Sequence, residues 1–269
     1  MMNVGAFLAL ATAKLQKAGI GSARLDSLIL LEEVLGKDRS YILAHLDQPL
    51  SGRQLGRLNQ RLDRRSSHEP LAYIRGWSEF YGRIFKINKR VLEPRPESET
   101  MIDLLKKLAL PAKTKIADIG TGSGCLGITA ALEITASTVD LYDIDSAALA
   151  VARHNAHLHE LTVGVHKRDL LNRPARDYDV ILANLPYIPS HWRLHPSILM
   201  EPRIAFLGGK DGLDLYRRMF AQAAGRPRPP KFILTESMPP QHRGLEKIAN
   251  GSSYQKQSSK DFIQVFELR

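Results

Sequence analysis

The sequence is poor in cysteine, and a single residue of that kind, Cys125, excludes an internal disulfide framework. A lone thiol suits a reducing compartment, so a cytoplasmic protein is expected. Long apolar runs are missing too. Nowhere do 18 hydrophobic residues follow one another, which argues against a membrane-spanning helix. The apolar stretch from Met1 to Ala13 has no basic residue ahead of it, so it is expected to form an amphipathic helix and not a secretory signal. Acidic residues are in deficit, 28 against 38 lysines and arginines, which leaves a net charge of +10. Such a balance attracts polyanions, RNA or a ribonucleoprotein in the simplest case, through a term indifferent to sequence. A merely soluble basic surface accounts for the same charge. What is present is a 43% hydrophobic chain of 269 residues, enough to bury a core in one large domain or two unequal ones.

Up to residue 67 the pattern is helical. Val4, Phe7, Leu8 and Leu15 share one face, and Leu25, Leu28, Ile29, Glu32 and Leu35 continue it, with Gly36 as a stop. Two shorter helices are expected over Asp38–Leu46 and Ser51–Leu62. Arg53, Arg57, Arg61, Arg64 and Arg65 fall at helical spacing near the second and form a basic face, solvated by default. Between Pro70 and Leu92 the period becomes two, which predicts a hairpin through Tyr73, Arg75 and Trp77 that turns at Ser78–Glu79.

From Pro96 onward helices and strands alternate. Helices are expected over Glu97–Ala109, Gly124–Glu133, Ser146–His159 (with Ser146 as its cap), Asp211–Ala224 and Gln241–Asn250. Strands are expected over Lys115–Ile119, Val139–Tyr142, Val163–Lys167, Val180–Ala183 and Phe232–Glu236, with a closing hairpin of Ser253–Gln257 and Phe262–Leu268. That alternation predicts an α/β fold with a mainly parallel, Rossmann-like sheet in the C-terminal two-thirds.

Gly120-Thr121-Gly122-Ser123-Gly124 follows a strand and opens a helix, where glycines permit a tight turn and free helix N–H groups meet a ligand. The loop alone is a weak signal, since dinucleotide enzymes share it. Asp118, Asp143 and Asp169 then end three successive strands and are expected to face one crevice. Asp143 is placed to accept both ribose hydroxyls of a nucleoside, and Asp169 to lie beside its adenine. Each acid alone reads equally well as a helix cap. As an ordered set behind a glycine loop they indicate a nucleoside cofactor.

The fourth strand delivers Asn184-Leu185-Pro186-Tyr187 to the same crevice. An amide or exocyclic amine nitrogen is a weak nucleophile because its lone pair is delocalised. A site that methylates one must hold both N–H hydrogens, so that the lone pair points at the methyl donor. The Asn184 side-chain oxygen and the Leu185 carbonyl are the two expected acceptors. Pro186 stiffens the loop and Tyr187 packs against a flat substrate group. Together with the cofactor loop this predicts methyl transfer from S-adenosylmethionine to a planar nitrogen. Hydride transfer leaves the tetrapeptide unexplained.

The chain resembles the HemK family, the protein-(glutamine-N5) methyltransferases that act on peptide chain release factors. The resemblance rests on Glu69-Pro70-Leu71-Ala72-Tyr73-Ile74-Arg75-Gly76, Glu79-Phe80-Tyr81-Gly82, Leu92-Glu93-Pro94-Arg95-Pro96-Glu97-Ser98-Glu99, the Asp118–Gly124 loop, and Glu201-Pro202 followed by Ala205 and Leu207. It implies a class I methyltransferase with a seven-stranded, mostly parallel sheet. The implied organisation is a helical substrate-recognition domain over 1–69, a β-hairpin linker over 70–92 and an S-adenosylmethionine domain over 93–269. It also implies that the substrate is the glutamine of a Gly-Gly-Gln tripeptide, and that Gly120–Gly124, Asp143, Leu170 and Asn184 hold the cofactor. The family usually has Asn-Pro-Pro-Tyr, and residue 185 here is Leu, as in enzymes that methylate adenine N6 in ribosomal RNA. Leu170 stands where an aromatic residue often lies near the adenine, keeping apolar contact without stacking.

Glutamine methylation of a ribosomal protein, adenine methylation of RNA, and a silent ribosome- or RNA-binding module are the other readings of the same residues. His191 and His195, four apart, lack a third ligand, so no metal site is expected. Cys125 is expected to be a small core residue.

Overall fold

The computed structural model describes residues 2–194 and 196–269. It divides into two compact units. The first ends at Gly76 and takes in a short segment ending at Met200, and the second comprises Trp77–Leu194 and Glu201–Arg269.

The first unit is helical. Helix α1 (Val4–Lys17) is capped by Asn3, whose side chain accepts the Ala6 N–H at 2.8 Å. Helix α2 (Ala23–Leu35) stops at Gly36, which takes the left-handed φ of 64° that its expected role requires. After α3 (Arg39–Ala44), a capping box of Ser51 and Gln54 opens α4 (Gly52–Ser66). Val4, Phe7, Leu8 and Leu15 are buried as their spacing predicts. The α2 face is only partly the expected one: Leu28 is buried and Leu35 packs against the core. Leu25 is exposed, while Ala23, Ser27, Leu30, Leu31 and Val34 are buried. Because α2 meets α1, α3 and α4, its buried sector is wide, and a single stripe misplaces its centre. Asp26 is buried with it and paired to Arg65 at 2.7 Å. Arg61 and Arg64 turn to Glu33 and Glu69, so much of the α4 basic face is neutralised within the unit.

Tyr73 and Arg75, expected on a strand, lie instead on a short helix, α5 (Leu71–Arg75). Pro70 before it and left-handed Gly76 after it are helix punctuation that outweighs a brief two-residue period. The hairpin begins only in the second unit, as β1 (Trp77–Phe80) and β2 (Arg83–Lys86). Its turn is at Tyr81–Gly82, both with positive φ, and the expected break, Ser78–Glu79, lies within the paired strand. Two left-handed central residues match the twist of a two-residue hairpin turn, and glycine accepts that φ without strain.

A single 3-10 turn at Pro96–Ser98 leads into α6 (Glu99–Leu105), shorter than expected. Then follow β3 (Lys115–Ile119), α7 (Cys125–Glu133), β4 (Thr138–Asp143), α8 (Ser146–Leu158), β5 (Gly164–Lys167) and β6 (Val180–Ala183). Helix α9 (Asp214–Ala224), β7 (Phe232–Glu236), α10 (His242–Gly251), β8 (Tyr254–Lys260) and β9 (Ile263–Leu268) complete the chain. Asp145 caps α8 through the Ala147 N–H, and Ser146 is its first helical residue.

The sheet has seven strands in the order β5-β4-β3-β6-β7-β9-β8. All pairs are parallel except those of β9, which lies antiparallel between β7 and β8. This is the seven-stranded, mostly parallel sheet that the sequence predicts. Strands β4 and β5 build outward on one side of β3, and β6 and β7 on the other. The order therefore reverses between β3 and β6, where the carboxyl ends of neighbouring strands leave a crevice. Ile119 pairs with Ala183 across that junction, so the glycine loop and Asn184 leave adjacent strand ends side by side.

Candidate active site

The loop after β3 is stapled to its neighbours. The N–H groups of Gly120 and Thr121 both donate to the Tyr142 carbonyl at 2.9 Å, and the Gly122 N–H donates to the Asp143 carboxylate at 3.0 Å. Gly120 holds φ at 73°, and a Cβ there would stand 2.9 Å from Leu185 Cδ2, so the tetrapeptide approaches this loop as closely as glycine permits.

Asp118 does not face the crevice as expected. It is 1% exposed, and one of its oxygens accepts the Thr121 hydroxyl at 2.5 Å and the Gly127 N–H at 2.9 Å. It braces the loop and the start of α7 from beneath. Burial pushes its pKa up to about 6 against the opposing pull of those two hydrogen bonds.

A cavity of about 260 Å³ lies over this junction. Gly120, Thr121, Gly122 and Ser123 form its floor beside the start of α7. Asp143, Asp169 and Leu170 line one side, and Asn184, Leu185 and Pro186 line another. Gly124 and Tyr187 do not reach it. At Gly124 a Cβ would meet Ile128 and Ala152, which marks close packing of α7 on α8.

Asp143 accepts one N–H on each oxygen, from Gly122 at 3.0 Å and Asp145 at 2.9 Å, which fixes the carboxylate and leaves each oxygen a further lone pair. Burial raises its pKa, and those backbone donors oppose the shift. Asp169 lies two residues beyond β5, ion-paired with Arg218 at the rim. Leu170 is buried in the left-handed region at φ 52°, a strained position for a leucine.

Around Asn184 the structure assembles groups that local patterns do not connect. The Asn184 amide nitrogen donates to Ser98 Oγ at 3.1 Å, and Ser98 donates to Glu236 Oε2 at 2.5 Å. The other Glu236 oxygen accepts the Tyr187 hydroxyl at 3.2 Å. Tyr187 is thus tied to Glu236 at this site. Glu236 is 1% exposed and its pKa is raised by burial. Tyr216 lies below, accepting the Leu185 N–H at 3.2 Å and donating to the Glu236 carbonyl. Leu185 itself is 2% exposed and packs into the core.

Sequence reasoning singles out neither Tyr216 nor Glu236, and it reaches Ser98 only as part of the Leu92–Glu99 motif. Glu236 carried a usable signal, an acid ending an apolar strand, the same signal that singled out Asp143. The cavity wall over Glu93–Arg95 was noted only as part of a motif, and Glu201 likewise.

The Cys125 thiol lines the cavity, but burial pushes its pKa up to about 12, so it is neutral and no nucleophile at ordinary pH. His191 lies in a turn, and His195 lies outside the described residues. No group of three or more metal-ligating side chains occurs among the described residues.

Residues 6–76 match the family model described as the PrmC N-terminal domain, and residues 98–201 match the methyltransferase small domain. A release factor glutamine methyltransferase of Koribacter versatilis is 34% identical, with 82% of this chain and 81% of that protein covered. One from Coxiella burnetii is 38% identical over 74% and 73%. A bifunctional methyltransferase of Rickettsia felis is 32% identical over 92% of this chain, which spans about half (53%) of that longer relative. Among solved structures, a methyltransferase from Pyrococcus furiosus superposes with a TM-score of 0.52 at 14% identity, covering 80% of this chain and 97% of that one. A Thermus thermophilus 16S rRNA methyltransferase solved with AdoMet and guanosine gives 0.52 at 18% identity, covering 72% and 50%. The structural likenesses establish the class I methyltransferase fold. Identity of a third or more across most of two full-length relatives, with both segment models matched in order, establishes more: the chain belongs to the release factor glutamine methyltransferase family.

Proposed function

We propose that this enzyme methylates the side-chain nitrogen (N5) of the glutamine in the Gly-Gly-Gln motif of a peptide chain release factor, with S-adenosylmethionine as methyl donor. The observation that carries the reading is Asn184, at the cavity and held by its nitrogen, which leaves the amide oxygen as the arm available to a substrate N–H.

The cavity residues fit the cofactor. Asp143 is fixed by two backbone donors with acceptor capacity left for two ribose hydroxyls. The glycine loop and the first turn of α7 offer backbone N–H groups and a positive dipole end. Leu170 supplies an apolar side for an adenine. When bound, S-adenosylmethionine supplies a methyl group on a sulfonium, an electrophile that needs no strong base ahead of transfer.

The chain's own residues do the positioning. Asn184 Oδ1 accepts one amide N–H of the glutamine. The Leu185 carbonyl accepts the other, since the single Tyr216 hydrogen is engaged by the Glu236 carbonyl. Holding both hydrogens in one plane turns the nitrogen lone pair toward the methyl group, and one of the two held protons leaves the methylated nitrogen for solvent after transfer. The helical segment over 1–69 recognises the release factor, the linker over 70–92, which carries α5 and the β1–β2 hairpin, leads to the methyl-transfer domain over 93–269, and the reaction takes place in the cytoplasm, where translation terminates. No helix among the described residues is long and apolar enough to cross a membrane. The net charge of +10 supports an additional, salt-sensitive contact with ribosome or RNA.

Incubation with labelled cofactor and separate release-factor, ribosomal-protein and ribosomal RNA substrates tests this reading. Label in the Gly-Gly-Gln glutamine of the release factor is expected. Label confined to RNA adenine, or to a ribosomal protein, overturns it.

A further inference from the structure

Asn184 has a pseudo-symmetric side chain, and either arm fits the same space. Only one arm can accept a substrate N–H. A site that relies on this amide therefore needs something that decides which way it points.

The hydrogen-bond chain around it has a direction. Glu236 is buried, its two oxygens accept the Ser98 hydroxyl at 2.5 Å and the Tyr187 hydroxyl at 3.2 Å, and the Asn184 amide lies close enough to favour its charged form as well. A carboxylate accepts only, so Ser98 must spend its single hydrogen on Glu236. Ser98 Oγ then presents only lone pairs to Asn184, and only the NH2 arm of that amide is compatible at 3.1 Å. A flipped Asn184 would set its oxygen against those lone pairs and leave its donors toward the substrate's own N–H. Ser98 is 2% exposed, so little solvent reaches its side of the contact.

We infer that Glu236, acting through Ser98 and by its own carboxylate beside the amide, is a positioning residue that locks Asn184 with its oxygen toward the substrate nitrogen. The inference rests on the proposed methylation of a glutamine nitrogen, but the lock itself is a property of the free protein. Neither Ser98 nor Glu236 needs to touch substrate. Gln in place of Glu236 reverses the logic, because its NH2 can donate to Ser98, freeing the hydroxyl hydrogen to turn toward Asn184 and admit the flipped amide. Thr in place of Ser98 keeps the relay.

The test uses the full chain as wild type, Ser98→Ala, Ser98→Thr and Glu236→Gln, each checked for folding by its thermal transition. Selective labelling of asparagine side chains gives the first readout, the Asn184 NH2 resonances and their hydrogen exchange without substrate. Slow exchange in wild type and Ser98→Thr, lost by at least 10-fold in Ser98→Ala, is expected. The second readout is single-turnover methylation at saturating release factor and cofactor. Ser98→Ala and Glu236→Gln should fall at least 10-fold, with KM for release factor and cofactor affinity within about twofold, while Ser98→Thr stays within threefold of wild type. Unchanged Asn184 resonances in Ser98→Ala, or Ser98→Ala turnover within twofold of wild type, overturn the lock. A wild-type protein that labels no release factor overturns the proposed function instead, and the resonances still decide the lock. If Glu236→Gln fails to fold, the Ala and Thr pair at Ser98 decides alone.

Discussion

Arg95 and Glu201, 106 residues apart, are joined by a hydrogen-bonded ion pair of 2.5 Å, and the second oxygen of Glu201 accepts the Glu93 N–H at 3.2 Å. The Glu201 side chain is 2% exposed, and burial raises its pKa against the pull of Arg95. One carboxylate thus holds the Glu93–Arg95 wall of the cavity through a side chain and the main chain together. Removing Arg95 leaves that carboxylate buried without its cation. Breaking a buried pair costs about 3–5 kcal/mol, and because Arg95 is one-third exposed the expected loss for Arg95→Ala is about 2 kcal/mol. Chemical denaturation measures it, and a loss below 0.5 kcal/mol, on the order of a surface ion pair, would count against the clamp.

Replacing Asn184 by Ala should lower single-turnover methylation by about 100-fold or more, with cofactor affinity nearly unchanged, because positioning is the proposed source of rate. Asn184→Asp should be no better, since it sets a second carboxylate toward Ser98 and Glu236 and removes the donor that Ser98 accepts. Near-wild-type turnover in Asn184→Ala would return the tetrapeptide to a structural turn.

Asp143→Ala should weaken cofactor binding by about 1–3 kcal/mol, roughly 5- to 150-fold in Kd. The Gly122 N–H loses its acceptor in the same variant, so the glycine loop loosens too. Titration calorimetry on a folded variant is the check; unchanged affinity would remove Asp143 from the cofactor site. In the wild type, the raised pKa of Asp143 means that affinity falls as pH drops through that pKa, when the carboxylate loses an acceptor.

From sequence alone Leu185→Pro is expected to be harmless, because proline keeps the main-chain carbonyl and residue 185 precedes a proline. The structure adds a cost. The Leu185 N–H donates to the Tyr216 hydroxyl, and the side chain fills core space beside Gly120. A loss of about 1–3 kcal/mol in stability is expected, with methyl transfer retained. Denaturation and single-turnover rates separate the two effects, and turnover that collapses in a folded variant would mean the leucine shapes the substrate site.

Asp118 makes stability depend on pH in an unusual direction. Its native pKa near 6 lies above the ordinary carboxylate value, so between about pH 4 and 6 the folded protein binds a proton that the unfolded chain does not. Its contribution to stability therefore rises as pH falls through 6 and is lost as pH rises above it. Asp118→Asn keeps one acceptor oxygen and carries no charge. Its Tm relative to wild type should be higher at pH 8 than at pH 5. Parallel pH profiles for the two proteins would place the burial cost elsewhere.

Much of this molecule was set by short-range pattern. Lys115–Ile119, Val180–Ala183 and Phe232–Glu236 form strands where their apolar runs predict, and the glycine loop and Asn184 leave adjacent strand ends. These are local matters of period, turn chemistry and chain punctuation. Tertiary structure decided which way the acids point and what they touch. Asp118 lies within β3 and is turned inward, whereas Asp143, ending β4, lines the cavity, and strand position alone did not separate them. The partly misplaced face of α2 has the same origin, since a helix with neighbours on several sides buries more than one stripe. Ser98 meets Asn184 across 86 residues and Glu236 across 138, and Arg95 meets Glu201 across 106. Such partners are chosen by the reversal of strand order between β3 and β6 and by the need to satisfy each buried polar group, and neither leaves a periodic trace in the chain.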